Sequence, residues 1–335
     1  MTKRENRDFA RQFLWLAIPM AMQNAVTNIV SLADNVMVTR LGTVAIAAVG
    51  LANQMYFVYT VILLGICGGG AAFITQYSGL EDYKGIKRTI FINLSFSLTV
   101  SLIFGIATLV FPEYIMTFLS GDPLVIKEGS IYLRWMSAGY ILSGITLTVS
   151  YVLKNLEYAK ITLYGSFIAF VFNVAADYVL IFGKFGFPEM GVKGAAIATV
   201  ISRAIEAAFI LFFALRKITY LRCRPKEYTE GAKKSVPLFI KTAMPVTINE
   251  TLWSLGSAML SVIYARISTD AIAAVNISSI IYNLLFVLQM GMASAAGVIV
   301  GKEIGMGNNS AAYDKSKKMS AISALMAIAL FFEHL

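Results

Sequence analysis

Residues Val44–Tyr77 read VAIAAVGLANQMYFVYTVILLGICGGGAAFITQY, an apolar stretch without a charged side chain. A helix of about 20 residues crosses a hydrocarbon core of roughly 30 Å, so this stretch is long enough to span a membrane. Similar stretches recur, and we place spans near Phe13–Val38, Val44–Tyr77, Thr89–Phe111, Ile131–Leu153, Ile161–Phe182, Val192–Leu215, Leu238–Ala265 and Ala271–Val300. A last apolar run follows Lys318, which makes eight spans and part of a ninth.

The composition supports the same fold class. Of the 335 residues, 58% are hydrophobic and 14% are charged, whereas a soluble domain carries roughly 25% charged residues. Phe13–Val38 is too long for the apolar core of a cleavable signal peptide, which has about 7–15 residues. The sequence therefore predicts an all-α integral membrane protein whose first helix is retained.

The net charge of +9 comes from basic residues in alternate loops. They are Lys3, Arg4, Arg7, Arg11, Lys84, Lys87, Arg88, Lys154, Lys160 and the cluster between Arg216 and Lys241. Basic loops stay on the cytoplasmic side of a membrane, so this distribution favours lipid insertion over nucleic-acid binding. We expect a multi-pass protein of the cytoplasmic membrane with a cytoplasmic N-terminus.

The chain contains an internal repeat with an offset of 226 residues. Pro19 pairs with Pro245 and Arg40 with Arg266 at this offset, and residues 45–49 and 271–275 both read AIAAV. The repeat predicts a six-helix lobe at residues 1–215, a basic cytoplasmic linker at 216–237 and an incomplete second lobe at 238–335. Transporters built from two such units bind substrate between them. Pro19 and Pro245 either bend their helices, as hinges, or begin them.

Three acids stand out within the predicted spans: Asp34, Asp177 and Glu250. An ionisable side chain near the bilayer centre costs at least about 2.5–3.5 kcal/mol, so each needs a reason. Asn173 and Asp177 are one helical turn apart and share a face. Asp34 lies on the first helix in a stripe of polar residues, which also contains Asn24, Thr27, Asn28, Ser31 and Asn35. This polar stripe predicts a water-filled cavity. Two carboxylates in a low-dielectric pocket repel, which a bound proton or sodium ion would relieve.

Other polar residues can line a substrate cleft. Glu250 either contacts a cationic substrate or is an interfacial Glu, and Gln54 and Asn276 either line the cleft or bond a neighbouring helix. Together with Asn24 and Asn28, these residues form the predicted substrate cavity.

Several motifs resemble the multidrug and toxic compound extrusion family. They are Ile18-Pro19, the segments 31–34 (SLAD) and 40–42 (RLG), 173–177 (NVAAD), 191–199 (GVKGAAIAT) and the glycine turn at 301–307. The resemblance implies two six-helix lobes around a central cleft and a cation site formed by Asp34, Asn173, Asp177 and Thr199, with Na⁺ a candidate at the first three. Family members have twelve helices, whereas this sequence reaches the ninth, so we expect a fragment of a longer protein or a truncated, non-functional remnant.

The main functional prediction is efflux of amphipathic organic, often cationic, molecules coupled to inward H⁺ or Na⁺, by a protein that is monomeric when complete and needs no other cofactor. A lipid-linked oligosaccharide flippase is the alternative, although it would favour an arginine-lined cleft for pyrophosphate. An intramembrane enzyme would need a nucleophile with its base or a metal-ligand set, and the predicted spans contain no His.

Overall fold

The computed structural model describes residues 3–222, 225–267 and 269–332, with side chains described at 9–222, 226–256, 259–260 and 286–325. The helices are α1 (Lys3–Thr39), α2 (Thr43–Gly79), α3 (Tyr83–Val110), α4 (Pro112–Leu119), α5 (Pro123–Asn155), α6 (Ala159–Phe182), α7 (Gly191–Lys217), α8 (Pro225–Thr229), α9 (Ala232–Ile267), α10 (Thr269–Gly305) and α11 (Asn309–Phe332). A 3₁₀ turn at Thr219–Leu221 precedes α8. These parts of the chain contain no strand.

Residues in the turns fix where the helices begin and end. The Asp82 carboxylate accepts the Gly85 N–H at 3.0 Å at the start of α3, and Asp122 accepts the Leu124 N–H at 2.8 Å at the start of α5. Gly183 ends α6 with a φ of 61°, a left-handed conformation that suits glycine. Short turns of this kind make consecutive long helices reverse direction.

The predicted all-α membrane fold is confirmed. Seven described helical segments are long and apolar enough to cross a membrane: Phe9–Thr39, Thr43–Gly79, Tyr83–Val110, Pro123–Asn155, Ala159–Phe182, Gly191–Lys217 and Phe286–Gly305. The predicted span Leu238–Ala265 lies in α9, and the partial span predicted after Lys318 lies in α11. Because parts of both fall outside the residues with described side chains, they remain predictions.

The segment predicted as a linker, 216–237, is partly helical and packs against α3. It holds the end of α7, the 3₁₀ turn, α8 and the first turn of α9. Lys87 Nζ pairs with Glu227 Oε2 at 2.8 Å, and Arg88 Nη1 donates to Ser235 Oγ at 3.2 Å. These contacts tie the segment to the first repeat unit.

Both repeat-related prolines lie inside helices, Pro19 in α1 and Pro245 in α9. The alternative that they begin their helices is therefore wrong. A proline inside a helix removes a backbone hydrogen bond and favours a bend, which leaves the hinge interpretation as a prediction.

The two repeat units pack reciprocally, α2 on α9 and α1 on α10. Gly65 abuts Thr247, and Gly291 abuts Ala21. The two contacts are equivalent in the repeat, because Gly291 lies 226 residues after Gly65 and Ala21 lies 226 residues before Thr247. A Cβ at either glycine would overlap the facing residue. Close helix crossing therefore depends on these glycines.

A third reciprocal contact joins α2 and α10 near the turns that follow them. Gly79 abuts the Lys302 carbonyl and Gly305 abuts the Gln76 carbonyl, again at the 226-residue offset. Nearby, Lys302 Nζ pairs with Glu157 Oε1 at 2.8 Å. We call this end of the molecule, where α1 begins and the basic turns lie, the basic end.

Candidate functional site

Three predicted site residues converge where α1 packs against α6. Asn173 and Asp177 of α6 are each 1% exposed, and Asp34 of α1 is half-buried. The carboxyl groups of Asp34 and Asp177 lie within direct reach of each other. We call these three residues the Asp34–Asp177 site.

The site is rich in polar atoms that lack partners. Asp34 Oδ1, both carboxylate oxygens of Asp177 and both amide atoms of Asn173 are buried and accept or donate no hydrogen bond among the described residues. An uncompensated buried carboxylate is costly, and two adjacent carboxylates also repel. The arrangement can bind a proton between the two acids, or a small hard cation such as Na⁺ through carboxylate and amide oxygens.

Thr199, the fourth predicted cation-site residue, is half-buried on α7. Its hydroxyl donates to the Ala195 carbonyl at 3.0 Å within the same helix. The hydroxyl hydrogen is thus used locally, which leaves the oxygen lone pairs of Thr199 for a cation.

Tyr132 of α5 also borders the site, and sequence analysis missed it. It is 6% exposed, lies near both Asp34 and Asp177, and donates to Asn53 Oδ1 of α2 at 3.4 Å. A tyrosine in an apolar span carries no sequence signal that separates such a role from packing. Asn53 itself bonds a neighbouring helix, one of the two interpretations that the sequence left open for polar amides.

A second buried ionic group, also missed, extends across α1, α6 and α7. Glu206 is 3% exposed; its Oε2 accepts from Arg203 Nη1 at 2.8 Å and its Oε1 accepts from Ser166 Oγ at 2.7 Å. Ser166 in turn accepts from Gln23 Nε2 at 3.2 Å, and Gln23 Oε1 accepts from Thr162 at 3.1 Å. We call these five residues the Glu206 network.

The Glu206 network adds a buried acid and a cation to the three acids that stood out within the predicted spans. Arg203 lies in the span Gly191–Lys217 and within electrostatic reach of Asp34. The sequence does contain a signal for this ion pair, because Arg203 and Glu206 carry opposite charges three residues apart inside a predicted span.

Four of the predicted substrate-cavity residues lie on α1, α2 and α9, and α2 packs against both of the other two helices. Asn24 and Glu250 are half-buried, whereas Asn28 and Gln54 are exposed. Glu250 lies within electrostatic reach of Tyr151 on α5. Asn276 lies outside the residues with described side chains.

A cavity of about 380 Å³ lies between the repeat units toward the basic end. Its walls come from α1, α2, α5 and α10, and its polar lining includes Thr75, Gln76, Tyr151, Lys154 and Ser294. Lys154 was predicted to lie in a loop, but α5 extends to Asn155 and the lysine lines this cavity.

Known proteins resemble this chain over most of its length. The probable multidrug resistance protein NorM of Thermotoga maritima is 26% identical over 308 residues, which cover 92% of this chain and 66% of that protein. NorM of Rhizobium meliloti is 27% identical over 308 residues, which cover 89% of this chain and 64% of that protein. The chain thus spans about two thirds of the length of these relatives.

Solved structures share the fold. A MOP superfamily transporter from Pyrococcus furiosus superimposes with a TM-score of 0.81 at 21% identity, covering 95% of this chain and 70% of that one. A MATE crystallised in complex with MaL6 gives a TM-score of 0.83 at 22% identity, and the match covers 95% of this chain and 71% of that one.

The MatE family model matches the chain twice, at residues 19–179 and 245–333. The two matches begin at Pro19 and Pro245, the pair that marks the 226-residue repeat. With most of its residues matched, the chain belongs to the MatE family.

Proposed function

We propose that the protein is a secondary active efflux antiporter that exports amphipathic organic, often cationic, molecules in exchange for inward H⁺ or Na⁺. The observation that carries the proposal is the Asp34–Asp177 site, whose buried acceptors lack donors among the described residues. The names of the NorM relatives, multidrug resistance proteins, support the substrate class.

Loading of the site would couple ion binding to helix arrangement. A proton or Na⁺ removes the repulsion between Asp34 on α1 and Asp177 on α6 and so favours a closer approach of these helices. Because α1 also packs against α10 of the second repeat unit, a change in α1 reaches the space between the units. Substrate is released if the two arrangements bind it with different affinity.

The membrane arrangement follows from the same proposal. The basic end would face the cytoplasm, because it carries the α2–α3 and α5–α6 turns and the N-terminus of α1. The protein would act in the cytoplasmic membrane as a monomer, with lipid and small organic molecules as its partners.

The Glu206 network bears on the flippase alternative. That function would favour arginines free to bind pyrophosphate, whereas Arg203 is paired with Glu206 at 2.8 Å. The acidic Asp34–Asp177 site favours cations instead.

Asp34→Asn and Asp177→Asn test the coupling role in proteoliposomes. We expect either substitution to abolish substrate export driven by an imposed pH or Na⁺ gradient, because each removes one of the two carboxylates that bind the ion. Asp314→Asn, at an exposed position on α11, is the matched control and should transport normally. The proposal would be refuted if neither gradient changed export by the wild-type protein, or if a variant with both Asp34→Asn and Asp177→Asn showed normal coupling.

A further inference from the structure

The cavity between the repeat units has an uncompensated cation in its wall. Lys154 is half-buried at the end of α5, and it is the only charged residue among the described residues that line the cavity. Its Nζ lies 5.4 Å from the centroid of the Tyr151 ring, and it forms no hydrogen bond or ion pair with a described residue. An ammonium group that is partly removed from water without a counter-ion is costly. The cavity therefore favours an occupant that brings a negative charge.

The acidic residues around the cavity do not provide this charge. Glu157 pairs with Lys302 at 2.8 Å. Glu206 pairs with Arg203, also at 2.8 Å. Glu250 lies on α9, and none of these three acids lines the cavity. The counter-charge for the lysine is thus left to a ligand.

The cavity wall offers two further hydrogen-bond donors. Gln76 of α2 and Tyr151 of α5 line the cavity, and within the described parts of the chain their side-chain amide and hydroxyl have no hydrogen-bond partner. The hydroxyls of Thr75 and Ser294, by contrast, donate to carbonyls of their own helices at 3.0 Å and 2.8 Å. Tyr151 lies three residues before Lys154 and shares its helix face. An ammonium group, an amide and a phenol can all donate to a carboxylate.

We propose that this cavity binds an amphipathic molecule through a single anionic group, a carboxylate or a sulfonate, with Lys154 as its counter-cation. The inference rests on the proposed function and narrows its substrate class. The apolar part of the wall, which includes Met20, Val298 and Ile304, packs against the body of the molecule. A volume of about 380 Å³ lies within the range of small-molecule pockets. A pyrophosphate carries more than one negative charge, so a singly charged group is the better match for one lysine.

Substrate and coupling ion then bind at separate places. Asp34 lies near the end of α1 that is farthest from the basic end, and it does not line the cavity. The acidic site takes the cation and the lysine takes the anion, so the two do not compete for the same groups. Helix α1 contributes to both places, with Asp34 at the coupling site and Met20 at the cavity. A movement of α1 can therefore link them.

Two ligands with the same aromatic body and opposite charges test the inference. Binding of naphthoate and of naphthylmethylammonium is measured by equilibrium dialysis against the purified protein in phosphatidylcholine nanodiscs, with empty nanodiscs as the correction for partition into lipid. We expect the wild-type protein to prefer naphthoate. Lys154→Gln should weaken naphthoate binding on the order of tenfold, as expected for loss of a hydrogen bond to a charged group. Lys154→Arg should retain binding, and Lys154→Glu should reverse the preference.

Lys160→Gln is the matched control, because Lys160 is an exposed lysine of α6 that does not line the cavity. It should bind naphthoate as the wild-type protein does. Equal loss of naphthoate binding in Lys160→Gln and Lys154→Gln would overturn the inference, since it would show a general surface-charge effect. Displacement of naphthoate by inorganic pyrophosphate at equal concentration would overturn the assignment of a singly charged ligand.

The wild-type comparison decides the inference even if the Lys154 variants do not fold. Equal binding of the two probes, or a preference for the ammonium ion, would overturn it. Dialysis uses no ion gradient, so these outcomes are independent of coupling. A protein that binds naphthoate as expected, but whose export of either probe responds to neither a pH nor a Na⁺ gradient, would instead reject the proposed function.

Discussion

Ser166 joins two parts of the buried Glu206 network. Its hydroxyl donates to Glu206 at 2.7 Å and accepts from Gln23 at 3.2 Å, so it connects α6 with both α7 and α1. Buried polar groups stabilise a structure only while their partners are present, because an unpaired one keeps its full desolvation cost. A single small side chain therefore supports three helices.

Removal of this hydroxyl should destabilise the protein. Ser166→Ala leaves Glu206 Oε1 and the Gln23 amide each without one partner, at a cost of about 1–3 kcal/mol. We expect the thermal unfolding midpoint in detergent to fall by several degrees. Ser95→Ala, at an exposed position on α3, is the control and should leave the midpoint unchanged. Equal midpoints for both variants would show that the network contributes no stability.

At the scale of an element, α2 has one face built from small residues. Gly65 and Gly69 abut Thr247 and Ala243 of α9, whereas Gly70 abuts Asn93 of α3 and touches Phe239 of α9. Between membrane helices, association depends on close packing, because lipid is as apolar as the side chains it replaces. The glycine face of α2 thus sets how closely the two repeat units approach.

The same substitution should have opposite effects at two positions of α2. A Cβ at Gly69 would overlap Ala243, so Gly69→Ala forces the helices apart and should cost about 1–3 kcal/mol. A Cβ at Gly50 meets nothing within 4 Å, so Gly50→Ala should stabilise the helix by up to about 1 kcal/mol. Unfolding midpoints of the two variants compare them directly. A Gly69→Ala protein as stable as wild type would show that the crossing tolerates a methyl group.

At the scale of the whole molecule, contacts at the basic end hold the repeat units together beside the cavity. Gly301 abuts Thr75, its own repeat equivalent, and Lys302 pairs with Glu157 across the units at 2.8 Å. Thr75 is 2% exposed and lines the cavity. Access to the cavity from this end therefore requires α2 and α10 to separate.

Charge reversal should open this end. Glu157→Lys places two cations opposite each other, so we expect faster thiol labelling of Thr75→Cys in a background without native cysteines. Combining Glu157→Lys with Lys302→Glu restores an ion pair and should restore slow labelling. Ser310→Cys, at an exposed position in the first turn of α11, reports general reagent access and should react equally in all variants. Fast labelling that persists in the charge-swapped protein would mean that the ion pair does not close this end.

Much of the fold was predictable from the sequence because the relevant physics is local. A backbone in hydrocarbon must satisfy its own hydrogen bonds, so an apolar run such as Val44–Tyr77 can only be a helix. The repeat and the shared face of Asn173 and Asp177 were likewise visible, since both follow from spacing along the chain. The helical part of the predicted linker was not, because its order depends on contacts with α3.

What only the tertiary structure decided is which side chains meet across helices. Ser166 contacts Gln23 across 143 residues and Glu206 across 40, and Asp34 of α1 lies beside Asp177 of α6. The sequence determined that acids lie within the spans of this MatE chain. It could not determine their partners, because the hydrophobic pattern of a helix does not set the rotation of that helix about its axis. That rotation is set by packing against neighbouring helices, here through glycines that fit only one crossing.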